Sequence, residues 1–129
     1  MRARPPSCQP PRRHPARDCL YDDYIKLSAT AVAVLDTEHV QRLRNLKQLS
    51  CTYLVYPTAE HSRFAHSLGV SHLAHKALDL LRERQPELDI TPQDLRQVEL
   101  AGLCHDLGHG PFSHLFEARL LPRLGVEHW

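Results

Sequence analysis

The stretch CHDLGHGPFSH, Cys104 to His114, packs three histidines and one aspartate into eleven residues. Its glycines, Gly108 and Gly110, let backbone and ligand approach closely. Adjacent residues on a helix diverge by about 100 degrees, so His105 and Asp106 reach a common ion only from its flank. A third ligand has to come from another element. Upstream, Thr91 followed by Pro92 is an N-cap and first-turn signal. It opens a helix through Leu107 that sets Leu95, Val98, Gly102 and His105 on one stripe, with His105 pointing inward. Gly108 and the pair Gly110 and Pro111 end that helix, and Phe112 to Leu121 begin another. Further upstream, Ser62 caps a long helix through about Arg84, in which His66, Val70, Leu73, Ala77, Leu80 and Leu81 share one face. His66 therefore points inward and is the natural supplier of the third ligand.

Two neutral imidazoles and a carboxylate suit Fe, Mn, Zn, Mg or a mixed site, and a water on such an ion is acidified toward hydroxide near neutral pH. That chemistry is hydrolysis. His109 and His114 lie beyond the helix end, where a histidine can donate a proton to a leaving oxygen or hold a phosphate. Arg63, about one turn before His66, carries a planar fork suited to phosphate. Plainer readings stay open on the residues alone. His66 can be a hydrogen-bonded core histidine, and His105 with Asp106 can be a helix-terminal histidine beside a solvated carboxylate. His105 and His109 can form a two-histidine zinc face, although Gly108 and Gly110 oppose helix continuation to His109. His39, His61, His72, His75 and His128 read as solvated, and Cys104 as a small core residue.

Outward from these helices, DTEHVQRLRNLKQL (Asp36 to Leu49) places Val40, Leu43, Leu46 and Leu49 at three-residue steps, with Asp36 or Thr37 as cap. Arg42, Arg44 and Lys47 read from pattern as its wet face. CTYLVYP (Cys51 to Pro57) is β-branched and aromatic, which suits a short strand or hairpin arm. Residues 1–18 hold five Pro and five Arg with almost no aliphatics, and read as a disordered tail. A misassigned coding start and a targeting peptide rank behind that reading, since prolines oppose a transit-peptide helix. Residues 19–129 read as the N-terminal portion of one mainly α domain. The chain of 129 residues, 42% hydrophobic, has room for one small domain with a core. A formal charge of +1 marks no global nucleic-acid or membrane binder, so any anion site is local. Four cysteines without a CxxC pair read as reduced intracellular thiols. No run approaches the ~18 to 20 apolar residues of a membrane span. The expectation is a soluble intracellular protein, nuclear or cytoplasmic.

HSRFAHSLGV (His61 to Val70), AGLCHDLGHGPFSH (Ala101 to His114) and DTEHVQRLRNLKQL together resemble the HD-domain deoxynucleoside triphosphate triphosphohydrolases, nearest the branch that also carries a sterile alpha motif. The likeness is collinear from about Tyr21 to Pro122. It implies a truncated, helical HD/PDEase-like domain that hydrolyses dNTPs, dGTP among them, to deoxynucleoside and triphosphate in dNTP catabolism. By the resemblance His66, His105 and Asp106 bind metal, Arg63 contacts substrate phosphate, His114 acts at the scissile phosphate, and His109 is a further active-site histidine. Gln48 and Leu49 lie against sugar and base. Asp36, Gln41 and Arg44 match residues that read an activating guanine nucleotide, GTP or dGTP, which drives tetramer formation. A single-stranded nucleic acid is a further partner the resemblance admits; a membrane is not.

The departures from the family pattern are local. Its glycine run after KQL reads SCT here (Ser50 to Thr52), and the acidic residue before the metal histidine is Ala65. Upstream, Tyr21, Asp22, Asp23 and Tyr24 stand in place of a basic, DP-containing segment, which implies that part of the activator pocket is absent. The family's fourth ligand, an aspartate, and another catalytic histidine lie beyond the position of Trp129. Weak or no turnover is therefore expected of these 129 residues alone. Two alternatives remain in view: another HD phosphohydrolase acting on nucleotides, and a non-catalytic nucleotide-binding or oligomerisation fragment.

Overall fold

The computed structural model describes residues 14–18 and 23–126. Strand β1 (His14–Asp18) pairs antiparallel with β2 (Asp23–Leu27), Ala16 opposite Ile25. Five residues of the expected tail thus form a strand, while residues 1–13, and His128 near the other end, lie outside the described residues. Five α-helices follow: α1 (Ala29–Leu35), α2 (Glu38–Gln41), α3 (Arg63–Arg84), α4 (Pro92–Cys104) and α5 (Leu121–Arg123). The expected mainly helical class holds.

Ser28 starts α1 by accepting a hydrogen bond from the Ala31 backbone N–H. No helix had been expected there; Ser28 before an alanine-rich run was the available signal. The long helix meets its expected bounds, Ser62 accepting from the Ala65 N–H and the last turn ending at Arg84. On α4, Thr91 and Asp94 form a reciprocal capping box. The core joins Ile25, Leu27, Ala31, Val40, Leu43, Phe64, Leu68 and Leu103. It sits where β2 and α1 meet the α3–α4 pair.

Several local expectations are corrected. The helix read over Asp36 to Leu49 breaks into α2 and a 3-10 turn, Arg42–Asn45, and Leu46 is already extended at φ −108° and ψ 117°. Val40 and Leu43 keep their buried positions; Leu49, past the break, is exposed. CTYLVYP forms no strand: Thr52–Leu54 is a 3-10 turn, and Leu54, Val55 and Tyr56 face solvent with no strand alongside. The hairpin lies instead at the N-terminal end. On α3 the buried face is Phe64, Ser67, Leu68 and Ser71, because α4 packs on that side, and Leu73, Leu80 and Leu81 are exposed. Helix α4 stops at Cys104 rather than Leu107, and His105 caps it. The following helix has a π-helical stretch at Phe116–Leu120, after Phe112 and Ser113 take left-handed φ of 65° and 53°. His72 and His75 are half-buried rather than solvated.

The close α3–α4 crossing decides where the histidines meet. A Cβ on Gly102 would lie 2.9 Å from Ser71 Cα and 3.0 Å from its N, both backbone atoms. Glycine therefore lets the helices touch, as the hydrogen bond from Ser71 Oγ to the Glu99 carbonyl at 2.7 Å requires. Buried Glu99 also accepts from the Ser28 N–H at 3.2 Å, tying the start of α1 to α4.

Candidate metal centre

His66 stands on the first turn of α3, and His105 and Asp106 follow the last residue of α4. Their ligand atoms lie within 4.8 Å of one another. The Nε2 atoms of His66 and His105 are 3.3 Å apart, and His105 Nε2 is 3.4 Å from Asp106 Oδ1. His66 Nε2 is 3.8 Å from Asp106 Oδ2. Two donors each about 2.1 Å from one ion, at octahedral to tetrahedral angles, are about 3.0–3.4 Å apart. Two of the three separations meet that spacing, and the third is slightly wider.

The electrostatics fit a cation as well. His105 Nδ1 donates to the Gly102 carbonyl at 2.7 Å, which turns the Nε2 lone pair toward the site. Burial lowers the His66 pKa below its ordinary 6.5; Asp106 opposes this, and the charges of His105, Arg63 and His61 add to it. The imidazole is thus held neutral near pH 7, the form that binds metal. Asp106 is buried, and Arg63 Nη1 donates to its Oδ2 at 2.6 Å. Arg63, expected at a substrate phosphate, is itself buried and turned onto the carboxylate.

A second group of donors adjoins the first. His109 Nε2 is 3.4 Å from Asp106 Oδ1. Its Nδ1 meets Glu117, which also faces His114 Nδ1 at 3.4 Å. The His109 and His114 rings make an edge contact, centroids 5.1 Å apart. Burial pushes the Glu117 pKa up, but hydrogen bonds and charges from His109 and His114 outweigh it, leaving the carboxyl below its ordinary 4.5. His105, Gly108, His109 and Glu117 line an open cavity of about 200 Å³. His114 is largely exposed.

Glu117 was not singled out from sequence; its place one turn after His114 was the available signal. Arg42 had been read as part of a wet face. It instead donates from Nη2 to the carbonyls of Leu107 and His109, at 2.7 and 3.0 Å, and so fastens the turn that carries His109.

The remaining expected residues lie on neighbouring elements. Gln48 Oε1 is buried without a partner, and the Gln48 carbonyl accepts from Ser113 Oγ at 3.0 Å, next to His114. Leu49 beside it is 45% exposed, open to a ligand. Asp36 ends α1 at the surface. Gln41 donates to the Leu35 carbonyl at 2.8 Å and accepts from Arg44 Nε at 2.7 Å. The Arg44 guanidinium lies 3.5 Å over the Phe64 ring. Gln41 and Arg44 therefore form one hydrogen-bonded unit.

The HD domain family model matches residues 63–128, from the first residue of α3 onward. The chain is 57% identical over 99 residues to deoxynucleoside triphosphate triphosphohydrolase SAMHD1 of Gallus gallus, a match covering 77% of this chain and 16% of that protein. The Homo sapiens protein of the same name is 52% identical over 99 residues, with the same two coverages, 77% and 16%. The SAMHD1 homolog of Dictyostelium discoideum is 61% identical over 84 residues, covering 65% of this chain and 16% of that one. The chain thus spans about one sixth of the length of these relatives. With the family match starting at Arg63 and containing the whole histidine–aspartate cluster, this chain belongs to the HD domain family.

Proposed function

We propose that this chain contributes the metal-binding part of an active site that hydrolyses deoxynucleoside triphosphates to deoxynucleoside and triphosphate. The observation that carries this reading is the convergence of His66, His105 and Asp106 from two helices, with His109, Glu117 and His114 directly alongside. The name shared by the relatives supports dNTP as the substrate class.

His66, His105 and Asp106 would hold a divalent ion, whose chemistry when bound is to acidify water and polarise a phosphoryl oxygen. His109 is held toward Asp106 by Arg42 through the backbone and by Glu117 through its Nδ1. His114, exposed and paired to the same Glu117, is placed to deliver a proton to a leaving oxygen. Gln48 and Leu49 supply a wall for sugar and base, and Arg63 a donor for phosphate. Asp36, Gln41 and Arg44 form a separate guanine-nucleotide subsite, through which GTP would promote a homo-oligomer.

Purified chain with Mn2+, dGTP and GTP tests the reading by its products. Triphosphate release supports it. Phosphate or monophosphate products would instead select another HD phosphohydrolase, and nucleotide binding without turnover a non-catalytic nucleotide-binding role.

A further inference from the structure

The carboxylate of Asp106 is divided between two sets of partners. Oδ1 faces His105 and His109, each at 3.4 Å. Oδ2 faces Arg63 Nη1 at 2.6 Å and His66 at 3.8 Å. Asp106 is the one carboxylate of the three-residue metal group, and a guanidinium 2% exposed lies against it. A buried pair of this kind is strongly coupled, because little water screens it. The guanidinium is also incompletely satisfied: Arg63 Nε is buried with no partner.

Resting on the metal-centre reading above, we infer that Arg63 sets the metal affinity of the centre by competing with the ion for the negative charge of Asp106. A cation held by His66, His105 and Asp106 shares its only carboxylate with a fixed positive charge, which weakens its hold. A phosphate that draws Arg63 toward itself relieves the competition, so metal and phosphate binding reinforce each other through this side chain. A merely structural Arg63 would act in the opposite direction, since removing it would loosen Asp106 and weaken metal binding. Arg63 is in this sense a positioning residue acting through Asp106.

The test is calorimetric titration of the full chain with Mn2+, comparing wild type with Arg63→Gln, alongside melting temperatures with and without the ion. Arg63→Gln should bind Mn2+ roughly tenfold tighter or more. It should melt lower than wild type without metal and gain more on Mn2+ addition. Unchanged or weaker Mn2+ affinity in the folded variant overturns the inference. If Arg63→Gln folds only when Mn2+ is present, judged by circular dichroism, its Mn2+ affinity is read through Arg63→Lys instead, because any folded-state ligand rescues a weakened fold. If it folds under neither condition, Arg63→Lys decides, because it keeps the charge but loses the fork: affinity at or above wild type supports competition, and weaker affinity overturns it. Wild type that binds no Mn2+, or binds it equally well as His66→Ala, would sink the metal-centre reading itself rather than this inference alone.

Discussion

His66→Ala removes one of the two imidazole nitrogens that lie 3.3 Å apart at the centre. The expected outcome is loss of most bound metal by elemental analysis, with helical circular dichroism retained because the side chain is half exposed. Metal content equal to wild type would remove His66 from the ligand set. Ser50 illustrates a different residue-scale effect. It sits at φ 55°, where glycine is at ease and a side chain is strained. Ser50→Gly should stabilise the fold by about 0.5 kcal/mol, the relief of strain partly offset by a more flexible unfolded chain. Urea denaturation would reveal it, and a clear loss would mean that the serine side chain does something the strain argument omits. The histidine and aspartate of the HD pair were legible as candidate ligands because their chemistry is carried by residue type. The engagement of Arg63 with Asp106 was not, since it depends on a side-chain direction that helical spacing leaves open.

At the scale of elements, α3 and α4 position the site by touching closely. Gly102→Ala would press a methyl group into the Ser71 backbone, 2.9 Å away, and neither helix can yield cheaply. A loss of about 1–3 kcal/mol is expected, with weaker metal binding because His105 lies three residues along. Equal stability would mean that the crossing is looser than these distances. The capping box of α4 gives a pH-dependent case. Hydrogen bonds from the Thr91 side chain and backbone hold the Asp94 carboxyl below its ordinary 3.8. A carboxylate with a depressed folded pKa stabilises above its unfolded value, and that contribution fades as pH falls through the folded value. Thr91→Ala should therefore lower stability at neutral pH and flatten the acid limb of the stability curve below about pH 4. A mutant curve parallel to wild type across that range would refute the assignment. Helices α3 and α4 were legible because Ser62, Thr91 and Pro92 announce their starts. Asp36 to Leu49 was misread because three-residue spacing fits an α-helix and a 3-10 turn alike.

Among the described residues, apolar side chains stand exposed along α3 and again near the C-terminal end. Leu73, Leu80 and Leu81 are 49%, 43% and 42% exposed, and Leu115 and Leu124 are 59% and 67% exposed. Apolar surface gathered in this way favours association. Replacing Leu73 and Leu81 by Lys should reduce self-association in sedimentation velocity while changing stability by less than about 0.5 kcal/mol per site. A large fall in melting temperature would mean that these leucines are covered in solution. No helix among the described residues is long and apolar enough to cross a membrane.

The sequence by itself determined the helical class, the bounds of α3, the start of α4 and the candidate ligands His66, His105 and Asp106. Each of these rests on local chemistry: capping hydroxyls, breaker glycines, and the donor atoms of His and Asp. Only the tertiary structure decided which faces those helices bury, where the hairpin lies, and how Arg42, Arg63 and Glu117 enter the site. Periodicity locates an apolar stripe without saying what packs on it. In this chain α4 covers the Phe64, Ser67, Leu68 and Ser71 face of α3 rather than the leucine stripe that the sequence displays most plainly.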